Sequence, residues 1–192
     1  MKLNKLASVF VIAMGMSAAG AQAAADAGSG KVTFTGSIID APCSIDPESS
    51  DQEVNLGQVA KSQLENNGTS TPQSFQILLK NCSLTETTVT DPENPGAETP
   101  VTTAPSVKVT FGGSPAVADD NTWFGITGTA SGAGVVITDG ASNKIPVGGT
   151  SAARELIEGD NTLGFSAYLQ GLGQTIQTGD FQSIADFTLA YE

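Results

Sequence analysis

The chain contains no histidine, and its 192 residues include only two cysteines and one tryptophan. Without histidine there is no Ser-His or Cys-His pair for nucleophilic catalysis and no imidazole ligand for a metal ion. The acidic residues fall singly or in loops, and the two short acidic stretches, 46–48 and 119–121, match no known calcium-loop spacing. A carboxylate pair of the glycosidase type stays open, although no pattern favours it. We therefore expect a protein that is not an enzyme and holds no cofactor or metal.

Basic residues are also scarce, with 8 lysines and arginines against 20 acidic residues and a net charge of −12. Two of the eight are Lys2 and Lys5, so a chain without its first residues has 6 basic and 20 acidic residues and a net charge of −14. A surface of that sign disfavours nucleic acids and anionic membrane faces as partners. We expect neither nucleic-acid binding nor direct membrane insertion.

The N-terminus has the pattern of a secretory signal peptide. Lys2 and Lys5 precede an apolar run over 6–16, and the small residues around Ala23 fit a cleavage site. The run is too short and too rich in Ala and Gly for a lasting membrane span. We predict a signal peptide over 1–23, with cleavage after Ala25 as the second choice. The mature chain of about 169 residues then lies outside the cytoplasm and fits one domain.

The two cysteines, Cys43 and Cys82, suit one disulfide in an oxidising compartment. The bridge would close a loop of about 40 residues, which is worth roughly 4 kcal/mol in the chain-entropy model. Metal binding or redox chemistry would need further ligands or a Cys-x-x-Cys spacing, and the sequence has neither.

Alternation of apolar and polar residues with period two dominates the chain and predicts an all-β protein. The spacing predicts strands over 73–80, 106–111 and 162–170, and shorter strands over 54–56, 122–127, 134–138 and 155–157. The one helical pattern is weak and covers 59–65. Seven to nine short strands, with a cysteine bridge between early strands, are typical of an immunoglobulin-like sandwich.

One segment departs from this alternation. Residues 83–105 contain seven Thr, four Pro and three Glu and almost no large apolar side chain. That composition predicts an exposed, mobile loop. A solvated insertion and an antigenic or adhesive loop are both compatible with it.

The two ends of the chain alternate in the same way. One face of an extended strand over 31–39, and one face of a strand that ends at the C-terminus, carry these residues: Val32, Phe34, Gly36 and Ile38, and Ala185, Phe187, Leu189 and Tyr191. The first strand has no evident partner, which predicts a subunit that lends one strand and borrows another. The alternative is a self-contained sandwich in which the first strand pairs with the last.

Several longer motifs span the chain from Gly30 to Glu192. They are the stretch 30–43 that leads into the first cysteine, Val54-Asn55-Leu56-Gly57, Lys80-Asn81-Cys82, the Gly-rich stretch 132–139, Gly179 at the fourteenth position from the end, and the penultimate Tyr191. Together these motifs resemble pilin subunits assembled by the chaperone–usher pathway. Among these they are most similar to the major rod subunits of P-like and mannose-resistant fimbriae.

The resemblance implies an incomplete immunoglobulin-like sandwich that is completed by a donor strand from a neighbouring subunit. It implies a donor extension over 24–39, with Val32, Phe34, Gly36 and Ile38 entering the acceptor, and a pilin domain over 40–192. The implied acceptor groove and chaperone-binding strand contain Gly179, Phe181, Ala185, Phe187, Leu189, Tyr191 and Glu192. The implied partners are other pilin subunits, a periplasmic chaperone and an outer-membrane usher.

The function implied is that of a structural subunit of an adhesive fimbria, secreted through the periplasm to the bacterial cell surface. The alternative is a minor tip adaptor or a terminating subunit that contributes to adhesion to host glycans. Because the donor-like extension begins within about ten residues of the cleavage site, we expect no separate lectin domain ahead of it. The presence of both a donor and an acceptor pattern favours a repeating link over an end piece.

Overall fold

The structure is a computed structural model that describes residues 30–90, 98–103 and 105–192, with only the main chain of 85–90 and 98–103. The chain divides into a unit that ends at Ile38 and a unit that spans Ile39–Glu192. The predicted signal peptide, 1–23, and the first residues of the predicted extension, 24–29, lie outside the described residues. None of the helices in the described ranges is long and apolar enough to cross a bilayer.

The unit Ile39–Glu192 consists mainly of short β-strands. In the described residues these are β1 (Ser44–Ile45), β2 (Gln73–Cys82), β3 (Thr85–Thr90), β4 (Glu98–Thr103), β5 (Ser106–Gly113), β6 (Pro115–Val117), β7 (Asp120–Phe124), β8 (Thr127–Gly128), β9 (Ala133–Asp139), β10 (Lys144–Ile145), β11 (Gly149–Thr150), β12 (Arg154–Glu155), β13 (Gly159–Gly171), β14 (Phe181–Gln182) and β15 (Ala185–Tyr191). The helices are single turns: α1 (Pro47–Ser50), α2 (Lys61–Leu64) and a 3-10 turn (Glu65–Asn67).

Two antiparallel sheets form the layers of the fold. The larger sheet has the order β1-β2-β13-β9-β7-β6, with β10 also beside β9. In the smaller sheet β5 is central, with β11 and β12 on one side and β15 on the other. The predicted all-β class is confirmed, and the layers are those of an immunoglobulin-like sandwich.

Alternate side chains of both sheets fill the space between the layers. Ile77 and Leu79 of β2 face the core from the larger sheet, and Val107 and Val109 of β5 face it from the smaller one. This is the inward and outward alternation that the period-two pattern predicts for a sandwich with one dry face per sheet.

Four phenylalanines form an aromatic cluster at one level of this core. Phe111 of the smaller sheet lies edge-on to Phe165 of the larger sheet, with ring centroids 5.1 Å apart. Phe75 stacks on Phe165 at 5.6 Å, and Phe187 of β15 lies 6.4 Å from Phe111. Aromatic pairs of these geometries stabilise a core by roughly 0.5–1.5 kcal/mol each beyond their buried area.

The predicted disulfide is present. Cys43 and Cys82 are bonded, their Cα atoms lie 4.1 Å apart, and both residues are buried. The bridge lies where β1 pairs with the end of β2, with Ser44 opposite Lys80. It therefore ties the start of the Ile39–Glu192 unit to the larger sheet.

The prediction of an irregular loop over 83–105 is wrong for the described part of that segment. Thr85–Thr90 and Glu98–Thr103 form an antiparallel hairpin, β3 and β4. Thr and Val are β-branched and favour extended backbone even where few large apolar side chains are present. Residues 91–97 and 104 lie outside the described residues.

Two other strand predictions are wrong. Residues 54–56 are not a strand, because no neighbouring strand pairs with them in the described chain. Residues 31–39 also form no strand. The alternating C-terminal strand is present as β15, whereas the implied acceptor residues from Phe181 onwards are divided between β14 and β15, which pair with β8 and β5 respectively. The weak helical pattern over 59–65 corresponds to α2 and the start of the 3-10 turn.

Asp139, at the end of β9, organises the turn into β10. Its carboxylate accepts hydrogen bonds from the main-chain N–H groups of Ala141 (2.9 Å) and Asn143 (2.8 Å) and from the Asn143 side chain (3.1 Å). Burial alone would raise the pKa of this carboxyl group, but these hydrogen bonds and the charge of Arg154 hold the pKa below its ordinary value of 3.8.

We expect the substitution Asp139→Ala to lower the free energy of unfolding by about 1 kcal/mol, because three donors lose their acceptor at a site that solvent partly screens. The folded-state pKa lies below the unfolded one, so the carboxylate stabilises the fold above the unfolded pKa and this contribution is lost as the pH falls through the folded pKa. Urea unfolding between about pH 5 and pH 2 should show a shallower pH dependence for Asp139→Asn than for the natural chain. Equal slopes would contradict this role.

Replacing both Cys43 and Cys82 by Ala should lower the free energy of unfolding by about 4 kcal/mol, because the open loop gains entropy in the unfolded chain. Urea unfolding of the double variant and of the oxidised natural chain measures the difference. Reduction of the natural chain should give the same loss. A reduced chain as stable as the oxidised one would contradict the prediction.

Candidate functional site

A long groove runs along one edge of the sandwich within the unit Ile39–Glu192. It has a volume of about 1360 Å³ and two walls, which we call the first wall (the segment 51–61) and the second wall (the segment 176–187).

The floor of the groove is the hydrophobic core itself. The side chains that line it between the walls are apolar and come from both sheets: Phe75, Ile77, Phe111, Phe124, Val135, Ile137, Ala167 and Leu169. Seven of these eight side chains are at most 7% exposed and Phe75 is half-buried, so the groove is a recess above the core that a further extended segment could fill.

The strand next to the groove is less buried than its neighbour. Val107, Val109 and Phe111 of β5 are only 1%, 1% and 2% exposed. By contrast, the inward-facing side chains of β15, among them Phe187 and Tyr191, are only half-buried. Burial of the Tyr191 side chain is still enough to raise the pKa of its hydroxyl above 10.0. The inward-facing side chains of β5 are thus fully covered, whereas those of β15 are only partly covered.

Both walls carry main-chain groups without a strand partner. Among the described residues β15 pairs only with β5, and its first residues, 185–187, line the groove. In the first wall, residues 52–60 make no main-chain hydrogen bond to a neighbouring strand in the described chain. Unpaired N–H and C=O groups on both sides of an apolar floor are suited to binding an extended segment between them.

The first wall is held at its ends rather than along its length. At one end the Gln52 side chain donates hydrogen bonds to the carbonyl oxygens of Ser49 (3.0 Å) and Gln76 (2.9 Å). At the other end α2 packs on β13, where a Cβ at Gly171 would collide with the Leu64 carbonyl. Between the ends, the half-buried side chains of Leu56 and Val59 pack against the core.

The second wall depends on Gly179. Its φ of +156° and the close approach of the Thr129 hydroxyl and the Ala130 main-chain nitrogen leave no room for a side chain. Next to it, the Asp180 N–H donates to the Thr129 hydroxyl (3.0 Å), and the Asp180 carbonyl accepts from the N–H of Thr129 (3.0 Å). This packing holds the chain against the β7–β9 connection before it enters β14.

The residues predicted as an acceptor strand do not all line the groove. Gly179, Phe181, Ala185 and Phe187 do. The remaining three, Leu189, Tyr191 and Glu192, lie further along the C-terminal segment, beyond the groove lining. At the C-terminus, the Lys108 ammonium forms an ion pair with the Glu192 side chain (2.6 Å), and the main chains of Ser106 and Glu192 exchange two hydrogen bonds of 2.9 Å.

The residues predicted as a donor are strongly exposed. The side chains of Val32, Phe34 and Ile38 are 75%, 89% and 104% exposed, and Gly36 has open space around it. A row of exposed, mostly apolar side chains on one face of an extended segment is unusual for a folded chain that buries its apolar surface by itself.

The sequence reasoning missed the first wall and the floor as parts of the site. The period-two pattern Val54, Leu56 was the available signal, but it predicted an ordinary strand. The floor residues lie in predicted strands, and only the three-dimensional structure shows that a groove lies above them. In the described ranges, no three side chains of metal-ligating type come together.

Comparison with known proteins identifies the family. Residues 32–192 match the family model described as "Fimbrial protein". The chain is 47% identical to the Fimbria A protein of Serratia marcescens and 44% identical to the major MR/P fimbria protein of Proteus mirabilis, in each case over 100% of both chains. Its structure is similar to a solved structure of a chaperone–usher pilus, with a TM-score of 0.67 and 31% identity over 86% of this chain and 97% of that one. The chain therefore belongs to the fimbrial protein family, and it is a structural subunit that polymerises with other pilin subunits in fimbriae on the cell surface.

Proposed function

We propose that this subunit polymerises by donor-strand exchange, in which residues 30–39 of one copy fill the groove of the next. The observation that carries the proposal is the groove itself, since it combines an apolar floor with two walls that each have an edge of main chain without a strand partner in the described chain. An added strand satisfies both needs at once, because its main chain pairs with the walls and its alternate side chains cover the floor.

The proposed donor supplies the matching pattern. Val32, Phe34 and Ile38 fall on one face of an extended strand and are exposed in the single chain. Each gains roughly 1.5–3 kcal/mol when it becomes fully buried. Gly36 lies on the same face and fits a position where the two backbones approach closely.

An open groove explains why such a subunit needs help before assembly. An exposed core beside a free strand edge aggregates unless it is covered. A periplasmic chaperone would cover the groove first, and exchange for the donor of the next subunit would take place at an outer-membrane usher. The signal peptide over 1–23 would direct the chain to the periplasm, from which the fibre reaches the cell surface.

We expect a chain that begins at Asp40 to be unstable or to aggregate, because its groove has no donor. An added peptide covering residues 26–39 should raise its melting temperature by tens of degrees, since the peptide binds the folded state alone. Thermal unfolding followed by circular dichroism measures the shift. Cooperative melting at one temperature with and without peptide would mean that the sandwich is complete without a donor.

The substitution Gly36→Val should abolish self-assembly of the mature chain, because a branched side chain would keep donor and acceptor backbones apart. The matched control is Ser37→Val, which adds a similar side chain on the outward face of the same strand. Multimers that survive SDS without boiling, seen on a gel, provide the measurement. If both variants assembled at the natural rate, Gly36 would not be at a close approach.

A further inference from the structure

We infer that Lys31 and Asp40, the charged residues at the two ends of the proposed donor, select the direction in which the donor enters the groove. The inference rests on the proposed function and adds to it a pair of specificity-determining residues. The partner is a second copy of this chain, and the recognition is electrostatic.

The proposed donor carries opposite charges at its two ends. Within residues 31–40 only the first and last positions are charged, with a cation at Lys31 and a carboxylate at Asp40, and both are exposed. The residues between them are apolar or uncharged. An extended strand places these two charges about 30 Å apart, at about 3.3 Å per residue.

The groove also carries opposite charges at its two ends. At one end, which we call the acidic end, the first wall carries Asp51 and Glu53, and the opposite wall carries Asp186, whose carboxylate lies beside Gly112 of β5. This end lies at the level of the aromatic cluster, since the Gln52 side chain bonds to the Gln76 carbonyl and Phe187 packs near Phe111. All three carboxylates belong to exposed residues, and none forms an ion pair within the described chain.

The other end of the groove has a cation. Lys61 lines it at the start of α2, close to Leu64 and across the groove from Ile176. Leu64 lies against Gly171, and Ile176 lies against Gly132, which places both at the far end of β13 and β9 from the aromatic cluster. Lys61 has no carboxylate partner in the part of the chain described. Asp180 lies between the two ends on the second wall.

The spacing of the charges matches. Asp51 and Lys61 are ten positions apart in the chain, and Lys31 and Asp40 are nine apart. A donor that enters with Lys31 at the acidic end therefore brings Asp40 towards Lys61. The reversed donor would place Lys31 near Lys61 and Asp40 near Asp51 and Glu53, so like charges would oppose it at both ends.

Charge of this kind acts on the encounter more than on the final affinity. The whole chain carries a net charge of −12, so two copies repel each other. A cation at the leading end of the donor offsets this repulsion locally, and complementary charges raise association rates in a manner that salt weakens. The inference therefore predicts a rate effect that depends on ionic strength.

The test is the assembly rate of the mature chain, refolded from denaturant, at about 20 mM and 500 mM salt, which bracket weak and strong screening. Lys31→Glu should slow the formation of SDS-resistant multimers about tenfold at low salt, and much less at high salt. The matched control is Lys144→Glu, which makes the same charge change on β10, outside the groove lining, where Lys144 bonds to Gln170. Restoration of the rate by Lys31→Glu combined with Glu53→Lys would support the pairing, because net charge returns to its natural value.

If Lys31→Glu assembles as fast as Lys144→Glu at both salt concentrations, the electrostatic inference is wrong while the proposed function stands. If instead Gly36→Val assembles at the natural rate, the donor proposal itself fails. The two results are distinguishable in one series of gels.

Direction is tested separately by cross-linking. A chain with Thr33→Cys, assembled with a chain carrying Ala185→Cys near the acidic end, should form an intermolecular disulfide on mild oxidation. The same chain assembled with one carrying Thr178→Cys, at the other end of the groove, should not, because Cα atoms more than about 7 Å apart cannot be bridged. Cross-linking to Thr178→Cys instead would overturn the assigned direction.

Discussion

An unpaired strand edge beside an open core is the constraint on which the rest of this structure depends. Main-chain N–H and C=O groups need partners, and apolar side chains need cover. Along the groove, the described residues of the unit Ile39–Glu192 leave main-chain groups without a strand partner and side chains such as Phe75 and Phe187 only half-buried. β5 is a strand for which both needs are met, because it has strands on both sides and its inward-facing residues are almost fully buried. Among the described residues, β15 has a strand on one side only. A free edge of this kind is suited to pairing with a further strand.

The features around the groove hold it open and in shape. The disulfide fixes the start of the unit to β2, the Gln52 side chain fixes one end of the first wall, and the contact of α2 with Gly171 fixes the other. Gly179 keeps the second wall against the β7–β9 connection. Because both walls are fixed near their ends, the gap between them keeps the length and width of one extended segment, and the floor between them keeps its apolar surface.

Charge adds direction to a site whose binding strength is apolar. The aromatic cluster and its neighbours supply the area to be buried, which does not distinguish one strand direction from the other. The carboxylates at one end of the groove and Lys61 at the other do distinguish them, as do Lys31 and Asp40 in the proposed donor. Many interfaces combine the two effects in this way: apolar burial stabilises the complex, and charge governs encounter and register.

The sequence by itself determined the class of the fold, the disulfide and most of the long strands, because period-two alternation and cysteine chemistry are local or compositional signals. It also predicted the alternating ends, and Gly179 and Phe187 as parts of one wall. Only the tertiary structure decided that residues 54–56 form a wall of the groove instead of a strand, and that 181–191 is divided between two sheets. It alone also shows that a groove lies above the core. Those outcomes depend on which neighbours each segment finds. Pairing is a property of two segments, so the alternation of one cannot reveal that its partner is missing.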